Sequence, residues 1–261
     1  LKAACESGEV AKQKGFGART QAKILEGIKF RDQVGGRVRI DLAQPLGLAL
    51  LEQVREFPGV VRSELCGSLR RRRETVADLD LLVSSANPQP IMDAFVKLPE
   101  VVQVLAQGPT KSSVLAALHV GGTKVTMQAD LRVVEDGQYP FALHYFTGSK
   151  AHNIRMRQLA IDRGLTLNEY ALASDSRAVA CATEADIFAA LGLPYIEPEL
   201  REDTGEIEAG QVKKLPALVK FEACSTTTPP TATEPLRSKR WRWRARRSGG
   251  STSAWRTTRS R

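Results

Sequence analysis

Apolar and polar residues alternate along residues 124–133, which predicts a β-strand with one face in the core and one polar face. Asp130 falls on the polar face. A second strand is predicted at residues 78–83, where alternate apolar residues face the core. Because side chains two positions apart share one face of a strand, Asp78 and Asp80 should lie side by side.

Other segments have the spacing of shorter strands and of helices. Further strands are predicted at residues 60–65, 101–105 and 113–120, with Gly121-Gly122 as a two-residue hairpin turn. Apolar spacing predicts helices at residues 1–10, 21–28, 46–56 and 91–98, and a small mixed pattern at residues 159–193. Helices and strands in this order predict an α+β fold.

The carboxylates of Asp78 and Asp80 would repel each other unless a cation lay between them. Hard oxygen ligands of this kind suit Mg²⁺, which binds one or two protein carboxylates together with water and substrate phosphates. The pair therefore indicates a phosphorylated partner. The alternative is an exposed acidic strand end that binds nothing.

A Gly-Ser turn and a run of arginines lie between the strand at residues 60–65 and the two carboxylates. Gly67-Ser68 can open a helix whose free backbone N–H groups point at an anion. Residues 70–73 are all arginine, and their guanidinium groups can donate to phosphate oxygens. Together these features predict a nucleotidyl-transfer site, and the alternative is a surface arginine run beside an acidic strand end.

Two glycines near the start of the chain, Gly15 and Gly17, flank one apolar residue and precede the helix predicted at residues 21–28. This spacing resembles the hairpin of a helix-hairpin-helix element, which presents backbone N–H groups to a DNA phosphate without reading the sequence. An ordinary glycine turn between two helices would have the same spacing.

The formal net charge of +9 would ordinarily indicate a nucleic-acid partner. The distribution of charge weakens that inference. Residues 236–261 hold 10 of the 38 basic residues and no acidic one, which leaves residues 1–235 with 28 basic and 29 acidic residues. Binding of DNA by the globular part must therefore depend on local patches.

Residues 221–261 change composition abruptly, first to Thr and Pro and then to Arg, Trp and Ser, and they contain all 3 Trp residues. Basic residues interleaved with Trp could bind single-stranded DNA by charge and stacking. We favour the other interpretation, a disordered or out-of-frame basic tail, because no helical or strand period runs through it.

The 4 cysteines are scattered with no close pair, which indicates neither a disulfide framework nor a zinc site and fits a reducing cytoplasm. No signal peptide and no apolar run of about 18 residues is present, so we expect no membrane association. The first residue is Leu and the chain opens inside a helical pattern, so we expect a fragment that lacks its native start.

Two motifs in this order resemble those of the family X DNA polymerases, which include polymerase beta and the bacterial and archaeal polymerase X proteins. The first is Gly67-Ser68 with Arg71 and then Asp78-x-Asp80, and the second spans residues 144–157 and continues at residues 164–170. The resemblance covers residues 1–219. It implies a nucleotidyltransferase palm, a mixed sheet with helices, flanked by a helical DNA-binding segment and a small α+β nucleotide-selecting subdomain. The domains expected are residues 1–41 (helix-hairpin-helix-like and truncated), 42–136 (palm), 137–220 (fingers or thumb) and 221–261 (tail).

The resemblance also implies roles for residues of the first motif and of the strand at 124–133. Asp78, Asp80 and Asp130 would be the catalytic carboxylates and hold two Mg²⁺ ions, or Mn²⁺ in their place. Without the family, a solvated carboxylate is the simpler interpretation of Asp130. The nucleotide triphosphate would be held by Gly67, Ser68 and Arg71, and the DNA would contact Gly15, Gly17 and Arg132. Ala77 departs from the family, which often has Gly just before the first aspartate.

In the second motif, Tyr145 and Phe146 match the residues beside the incoming sugar, and Gly148 lies in the turn before a helix. Asn153 and Arg157 are four positions apart and share one helix face. The resemblance implies that Asn153 touches the incoming base and that Arg157 touches the template side. Without the family, Tyr145-Phe146 would be core aromatics at a strand end. His119, His144 and His152 have no metal-ligand spacing and are interpreted as structural or surface residues.

We therefore expect a DNA-directed DNA polymerase that adds deoxynucleotides to a primer 3′-hydroxyl, in short-gap filling during base excision repair. The expected partners are primed or gapped DNA and deoxynucleoside triphosphates, and the expected form is a monomer in a bacterial or archaeal cytoplasm. The histidine-rich phosphoesterase motifs of long bacterial members are absent from this sequence. The alternatives are an inactive DNA-binding fragment and another kind of nucleotidyltransferase.

Overall fold

The computed structural model describes residues 1–34, 36–174, 177–218, 220–222 and 244–246. The chain forms two compact units, Leu1–Lys214 and Leu215–Arg261. In the second unit, two short strands pair antiparallel with each other, Lys220–Glu222 with Arg244–Arg246. The rest of the tail that the sequence predicts to be disordered lies outside the described residues.

The first unit begins with helices and continues into a sheet. Its amino-terminal elements are α1 (Lys2–Glu6), a 3₁₀ turn (Val10–Lys12), α2 (Ala18–Val34), β1 (Val38–Arg39), α3 (Ile40–Arg55), β2 (Arg62–Leu65), α4 (Gly67–Arg70) and β3 (Thr75–Val76). The next are β4 (Asp78–Ser84), α5 (Pro88–Phe95), β5 (Val101–Gln107), β6 (Lys111–Val120) and β7 (Thr123–Val134).

The carboxyl-terminal part of the unit is mostly helical. It contains a 3₁₀ turn (Asp136–Gln138), α6 (Tyr139–Thr147), α7 (Lys150–Ile161), β8 (Thr166–Leu167), β9 (Leu172–Ser174), β10 (Arg177–Ala178), α8 (Glu184–Ala190), a second 3₁₀ turn (Pro198–Leu200) and α9 (Glu206–Gln211). Strands β8, β9 and β10 form a small antiparallel sheet. The two strands of the second unit complete the numbering as β11 and β12.

The central sheet has five strands in the order β2-β4-β7-β6-β5. Its one parallel pair is β4 with β7, and the other neighbours run antiparallel. The β6–β7 turn is made by Gly121 and Gly122, whose φ angles of +56° and +84° are those that a two-residue hairpin requires. A mixed sheet with helices confirms the predicted α+β fold.

Side-chain alternation in β4 and β7 builds the core as predicted. Leu79, Leu81 and Leu131 are buried on the face that α3 and α5 cover, in one apolar cluster. Leu82 points to the opposite face, where it packs with Tyr139 of α6. Full burial of each such side chain contributes roughly 1.5–3 kcal/mol. Strand β4 is therefore covered on both faces.

Several element boundaries differ from the prediction. Helix α3 begins at Ile40 rather than at residue 46 and contains Pro45, because buried Ala43 continues the apolar stripe towards the amino terminus. Helix α3 therefore starts just before the predicted domain boundary, which separates residues 1–41 from residues 42–136. Helix α1 ends at Glu6, and Gly8 follows with φ +77°.

Two further differences concern short or buried elements. The two-residue strands β1 and β3, which pair Val38 with Val76, were not predicted. Tyr145 and Phe146 were considered as residues at a strand end, and this interpretation is wrong because both lie in α6.

Candidate active site

The three predicted carboxylates lie on the neighbouring parallel strands β4 and β7. In the register of this pair, Asp80 is directly opposite Asp130, and Asp78 is opposite Gln128. Asp78 is exposed at the start of β4, whereas Asp80 and Asp130 are partly buried. The structure therefore places all three side chains on the polar face at one end of this strand pair.

The environment of Asp80 disfavours its charged form. Burial, followed by the neighbouring charges of Asp78 and Asp130, raises the pKa of Asp80 to about 7. Lys111 and Arg132 act in the opposite direction, but their effect is smaller. A carboxyl group held in this way is one whose charge a bound cation would stabilise.

Asp130 is ionised more easily than an ordinary aspartate because it accepts hydrogen bonds. The Lys111 ammonium lies 2.6 Å from Oδ2 of Asp130, and Gln128 donates to Oδ1 at 2.8 Å. Burial alone would raise the pKa of Asp130, but hydrogen bonds from Lys111, Gln128 and Ser113 lower it. Lys111 thus supplies a positive charge to the carboxylate cluster.

Gly67 allows the chain to approach Asp80 closely. Its φ is +60°, and a Cβ built on it would lie 2.4 Å from Oδ2 of Asp80. The backbone N–H of Cys66 also donates to the carbonyl oxygen of Asp80 at 2.7 Å. Because any side chain at position 67 would collide with this carboxylate, the Gly-Ser turn and the carboxylate cluster form one site.

The donor set of the cluster fits a hard divalent cation. In the part of the chain that the structure describes, no group of three or more His, Cys, Asp and Glu side chains is already arranged as a metal site. Asp78, Asp80 and Asp130 nevertheless offer only oxygen ligands, and the repulsion that raises the pKa of Asp80 is what a cation would relieve. The two-ion site remains a prediction.

Arg71, which is predicted to hold a triphosphate, donates hydrogen bonds to two other groups of the protein. Its Nε donates to Oε1 of Glu202 at 2.8 Å, and its Nη1 donates to the carbonyl oxygen of Thr147 at 2.5 Å. Gly148 has φ +70°, and a Cβ there would lie 3.1 Å from Nη1 of Arg71. Ser68 is partly buried in α4, which ends one residue before this arginine. The first motif therefore contacts the second motif through Arg71.

The neighbouring Arg70 connects α4 to a buried charge network. Its guanidinium forms a bidentate pair with Glu184 at 3.1 and 2.9 Å and donates to Oγ1 of Thr147 at 2.6 Å. Glu184 also pairs with Arg201, which is completely buried. Burial alone would raise the pKa of Glu184, but Arg201 and then Arg70 hold it well below its usual range.

The second motif forms the end of α6 and the first turns of α7. The rings of Tyr145 and Phe146 pack edge to face with centroids 5.1 Å apart, and the guanidinium of Arg132 lies 4.6 Å from the Phe146 centroid. Asn153 is buried and donates to the carbonyl oxygen of Tyr145 at 2.7 Å. Arg157 is exposed and donates to the carbonyl oxygen of Asn153 at 3.3 Å.

An open cavity of about 320 Å³ lies beside this motif. Arg132 and Phe146 line it together with Glu169, Tyr170, Thr110 and Gln138. The structure thus joins the polar face of β7, Phe146 of the aromatic pair and the predicted continuation of the second motif around one cavity.

Comparisons with known proteins agree with this geometry. Residues 142–202 match the model of the DNA polymerase beta thumb. Over 210 residues the chain is 35% identical to the DNA polymerase/3′-5′ exonuclease PolX of Bacillus subtilis, covering 80% of this chain and 36% of that protein. Over 160 residues it is 30% identical to DNA polymerase lambda of Rattus norvegicus, covering 52% of this chain and 28% of that protein.

The crystal structure of Leishmania infantum polymerase beta in a ternary P/T complex superposes with a TM-score of 0.60 and 25% sequence identity. The match covers 72% of this chain and 94% of that one. This chain belongs to the family X DNA polymerases. It spans about a third of the length of the curated relatives it matches.

The remaining predicted residues of this family X chain have simple environments. Gly15 and Gly17 are exposed in the turn before α2, and Gly15 has φ +91°. His144 and His152 are buried, and burial above all lowers the pKa of His144 to about 3. His119 is exposed.

No helix among the described residues is long and apolar enough to span a membrane.

The sequence did not predict three polar residues of the site: Lys111, Glu184 and Glu202. Glu184 and Glu202 are far along the chain from their arginine partners, 114 positions from Arg70 and 131 from Arg71. No periodicity or local motif marks such a pair. Lys111 lies just before the strand predicted at residues 113–120 and pairs with Asp130 across the β6–β7 hairpin. Cys5, Cys66 and Cys181 are buried free thiols, and Cys224 lies outside the described residues.

Proposed function

We propose that this chain catalyses template-directed addition of deoxynucleotides to a primer 3′-hydroxyl. The observation that carries the proposal is the register of β4 and β7, which puts Asp80 opposite Asp130 beside Gly67. A cluster of carboxylates next to a basic Gly-Ser turn suits transfer of a nucleotidyl group from a triphosphate. The same arrangement has no evident use in a protein that only binds DNA.

In this mechanism Asp78, Asp80 and Asp130 would hold two Mg²⁺ ions. Bound there, the ions would lower the pKa of the primer hydroxyl and neutralise charge on the leaving pyrophosphate. Mn²⁺ offers the same charge and also accepts oxygen ligands. By holding such ions the carboxylates would help to position the reacting groups, and positioning is a large part of catalysis in phosphoryl transfer.

The triphosphate is held by the Gly67-Ser68 turn and by Arg71, whose guanidinium is suited to bidentate recognition of phosphate oxygens. Preorganised donors of this kind stabilise charge that develops in the transition state. Nε and Nη1 of Arg71 already donate to protein acceptors, so these two donors reach phosphate oxygens only by exchanging those acceptors.

The second motif selects the nucleotide. Tyr145 and Phe146 lie beside the incoming sugar, and the Gly148 turn leads into α7. Asn153 touches the base edge and Arg157 the template side. The exposure of Arg157 and the anchoring of Asn153 on the Tyr145 carbonyl are compatible with these roles.

The DNA partner is a primed or gapped duplex. Gly15 and Gly17 would present backbone N–H groups to its phosphates as a helix-hairpin-helix element, and Arg132 would approach it from β7. Short-gap filling in base excision repair, in a bacterial or archaeal cytoplasm and by a monomer, is the setting that this substrate suggests.

The test is incorporation on four gapped duplexes that differ only in the templating base. The full 261-residue chain should add mainly the complementary nucleotide on each duplex in the presence of Mg²⁺. Asp130→Asn should abolish the addition, whereas Asp162→Asn, an exposed carboxylate at the end of α7, should not. Addition that ignores the template would favour a different nucleotidyltransferase, and binding without addition would favour a DNA-binding remnant.

A further inference from the structure

Glu202 holds the arginine that the proposed mechanism assigns to the triphosphate. Its Oε1 accepts from Nε of Arg71 at 2.8 Å and lies 3.6 Å from Nε of Arg73. The side chains of Arg71 and Glu202 are only 13% and 22% exposed. Because solvent screens a partly buried pair less than an exposed one, this contact is stronger than an ordinary surface salt bridge.

The carboxylate of Glu202 is held in place by the segment that carries it. Glu206 accepts hydrogen bonds from the backbone N–H groups of Asp203 at 3.0 Å and Thr204 at 2.7 Å, and it contacts Nδ1 of His152 at 2.7 Å. On the other side of Glu202, the carbonyl oxygen of Arg201 accepts from the backbone N–H of Ser149 at 3.0 Å. The contact with Arg71 is therefore built into the fold.

We propose that Glu202 is an internal competitor of the nucleotide for Arg71 and Arg73, and that the nucleotide displaces it on binding. This inference rests on the proposed function, because it takes Arg71 as a triphosphate ligand. A carboxylate and a phosphate oxygen both accept from the same guanidinium donors. Arg71 can therefore serve Glu202 or the nucleotide with a given donor, but not both.

Competition of this kind sets the affinity for phosphate ligands. The apparent affinity is the intrinsic affinity multiplied by the fraction of molecules in which Arg71 is free. That fraction is a property of the ligand-free protein and does not depend on the ligand. Glu202 should therefore lower the affinity for every phosphate ligand that needs Arg71 by the same factor.

Displacement of Glu202 from Arg71 would also break a contact between two segments of the first unit. Arg71 connects α4 both to Glu202, before α9, and to the carbonyl of Thr147, at the end of α6. When phosphate oxygens replace Glu202, the segment around it loses its contact with α4. Binding of the triphosphate is thereby coupled to the position of this segment.

The test compares the full chain with Glu202→Gln and with Glu208→Gln as the matched control. Glu208 is an exposed carboxylate that pairs with Arg155, so this control removes the same charge from an arginine outside the predicted site. Calorimetry measures binding of inorganic tripolyphosphate and of pyrophosphate, without DNA. We expect Glu202→Gln to bind tripolyphosphate about tenfold more tightly, equivalent to about 1.4 kcal/mol, and pyrophosphate more tightly by the same factor.

Equal or weaker binding by Glu202→Gln would overturn the proposal, as would the same gain in Glu208→Gln. Should Glu202→Gln fail to fold in a thermal melt, Glu202→Asp keeps the charge and shortens the reach to Arg71. It should then bind tripolyphosphate more tightly than the unmodified chain. A failure to do so would equally count against the proposal.

The same variants separate this inference from the proposed function. If the unmodified chain extends a primer but Glu202→Gln has an unchanged KM for the nucleotide, only the competition is refuted. If the unmodified chain adds no nucleotide, the proposed function fails. Tripolyphosphate binding then decides the competition alone, since it needs no primer and no turnover.

Discussion

Replacing Asp80 by Asn should stabilise the metal-free protein at alkaline pH. The structure puts this carboxyl group in a partly buried position beside Asp78 and Asp130, which raises its pKa to about 7. Between its ordinary pKa and pH 7, the folded state therefore binds more protons at this site than the unfolded state does. Stability must then fall as pH rises through this window.

The size of the effect follows from the shift. The ordinary pKa of this group is 3.8 and the folded value is about 7. Each unit corresponds to about 1.4 kcal/mol, so the charged carboxylate costs at most about 4 kcal/mol above pH 7. The amide of Asn has the same shape and no charge. We expect Asp80→Asn to recover about 1 to 4 kcal/mol at pH 8.

The assay is urea unfolding at pH 5 and pH 8 in the presence of a chelator. The unmodified chain should lose stability between the two pH values, and Asp80→Asn should lose less. Asp162→Asn, which removes an exposed carboxylate at the end of α7, should follow the unmodified chain. Mg²⁺ should stabilise the unmodified chain at pH 8 and Asp80→Asn far less. A variant that is no more stable at pH 8 would refute the electrostatic account of this cluster.

Three other changes test separate parts of the site. Gly67→Ala should destabilise the fold by about 1–3 kcal/mol in urea unfolding, since its Cβ would lie 2.4 Å from Oδ2 of Asp80; wild-type stability would contradict this. Glu184→Gln should cost about 3–5 kcal/mol in the same assay, because it leaves two arginines without a charged partner; a loss below about 1 kcal/mol would argue against a structural role for the network. Lys111→Met should raise the pKa of Asp130, followed by the ¹³C shift of its carboxyl group in a pH titration; an unchanged titration would show that the ion pair has no effect in solution.

The alternation of residues 124–133 was enough to predict the strand, its buried face and the exposure of Asp130 to the polar side. The parallel pairing with β4 could not be derived from alternation, because period and polarity do not say which strands are neighbours. The resemblance to family X implied that Asp130 joins Asp78 and Asp80, but not that their strands run parallel. The register of Asp80 with Asp130 agrees with it.

Helix α6 shows why local pattern fails for buried elements. Most of its residues between Tyr139 and Thr147 are buried, so the helical period that a polar face would reveal is blurred. Because the helical period is blurred, the sequence allowed Tyr145 and Phe146 to be interpreted as residues at the end of a strand. Sequence separation explains the residues that were missed, since the partner of Glu202 lies in α4 and no local motif marks the pair.

The central claim is that the cluster on β4 and β7 performs nucleotidyl transfer on a primed template. Its most direct test is single-nucleotide addition to a gapped duplex with Mg²⁺ by the full chain and by Asp80→Ala, with duplex binding measured in parallel. The account predicts addition by the unmodified chain, none by Asp80→Ala, and similar duplex affinity for both. Addition by Asp80→Ala at the unmodified rate would contradict it.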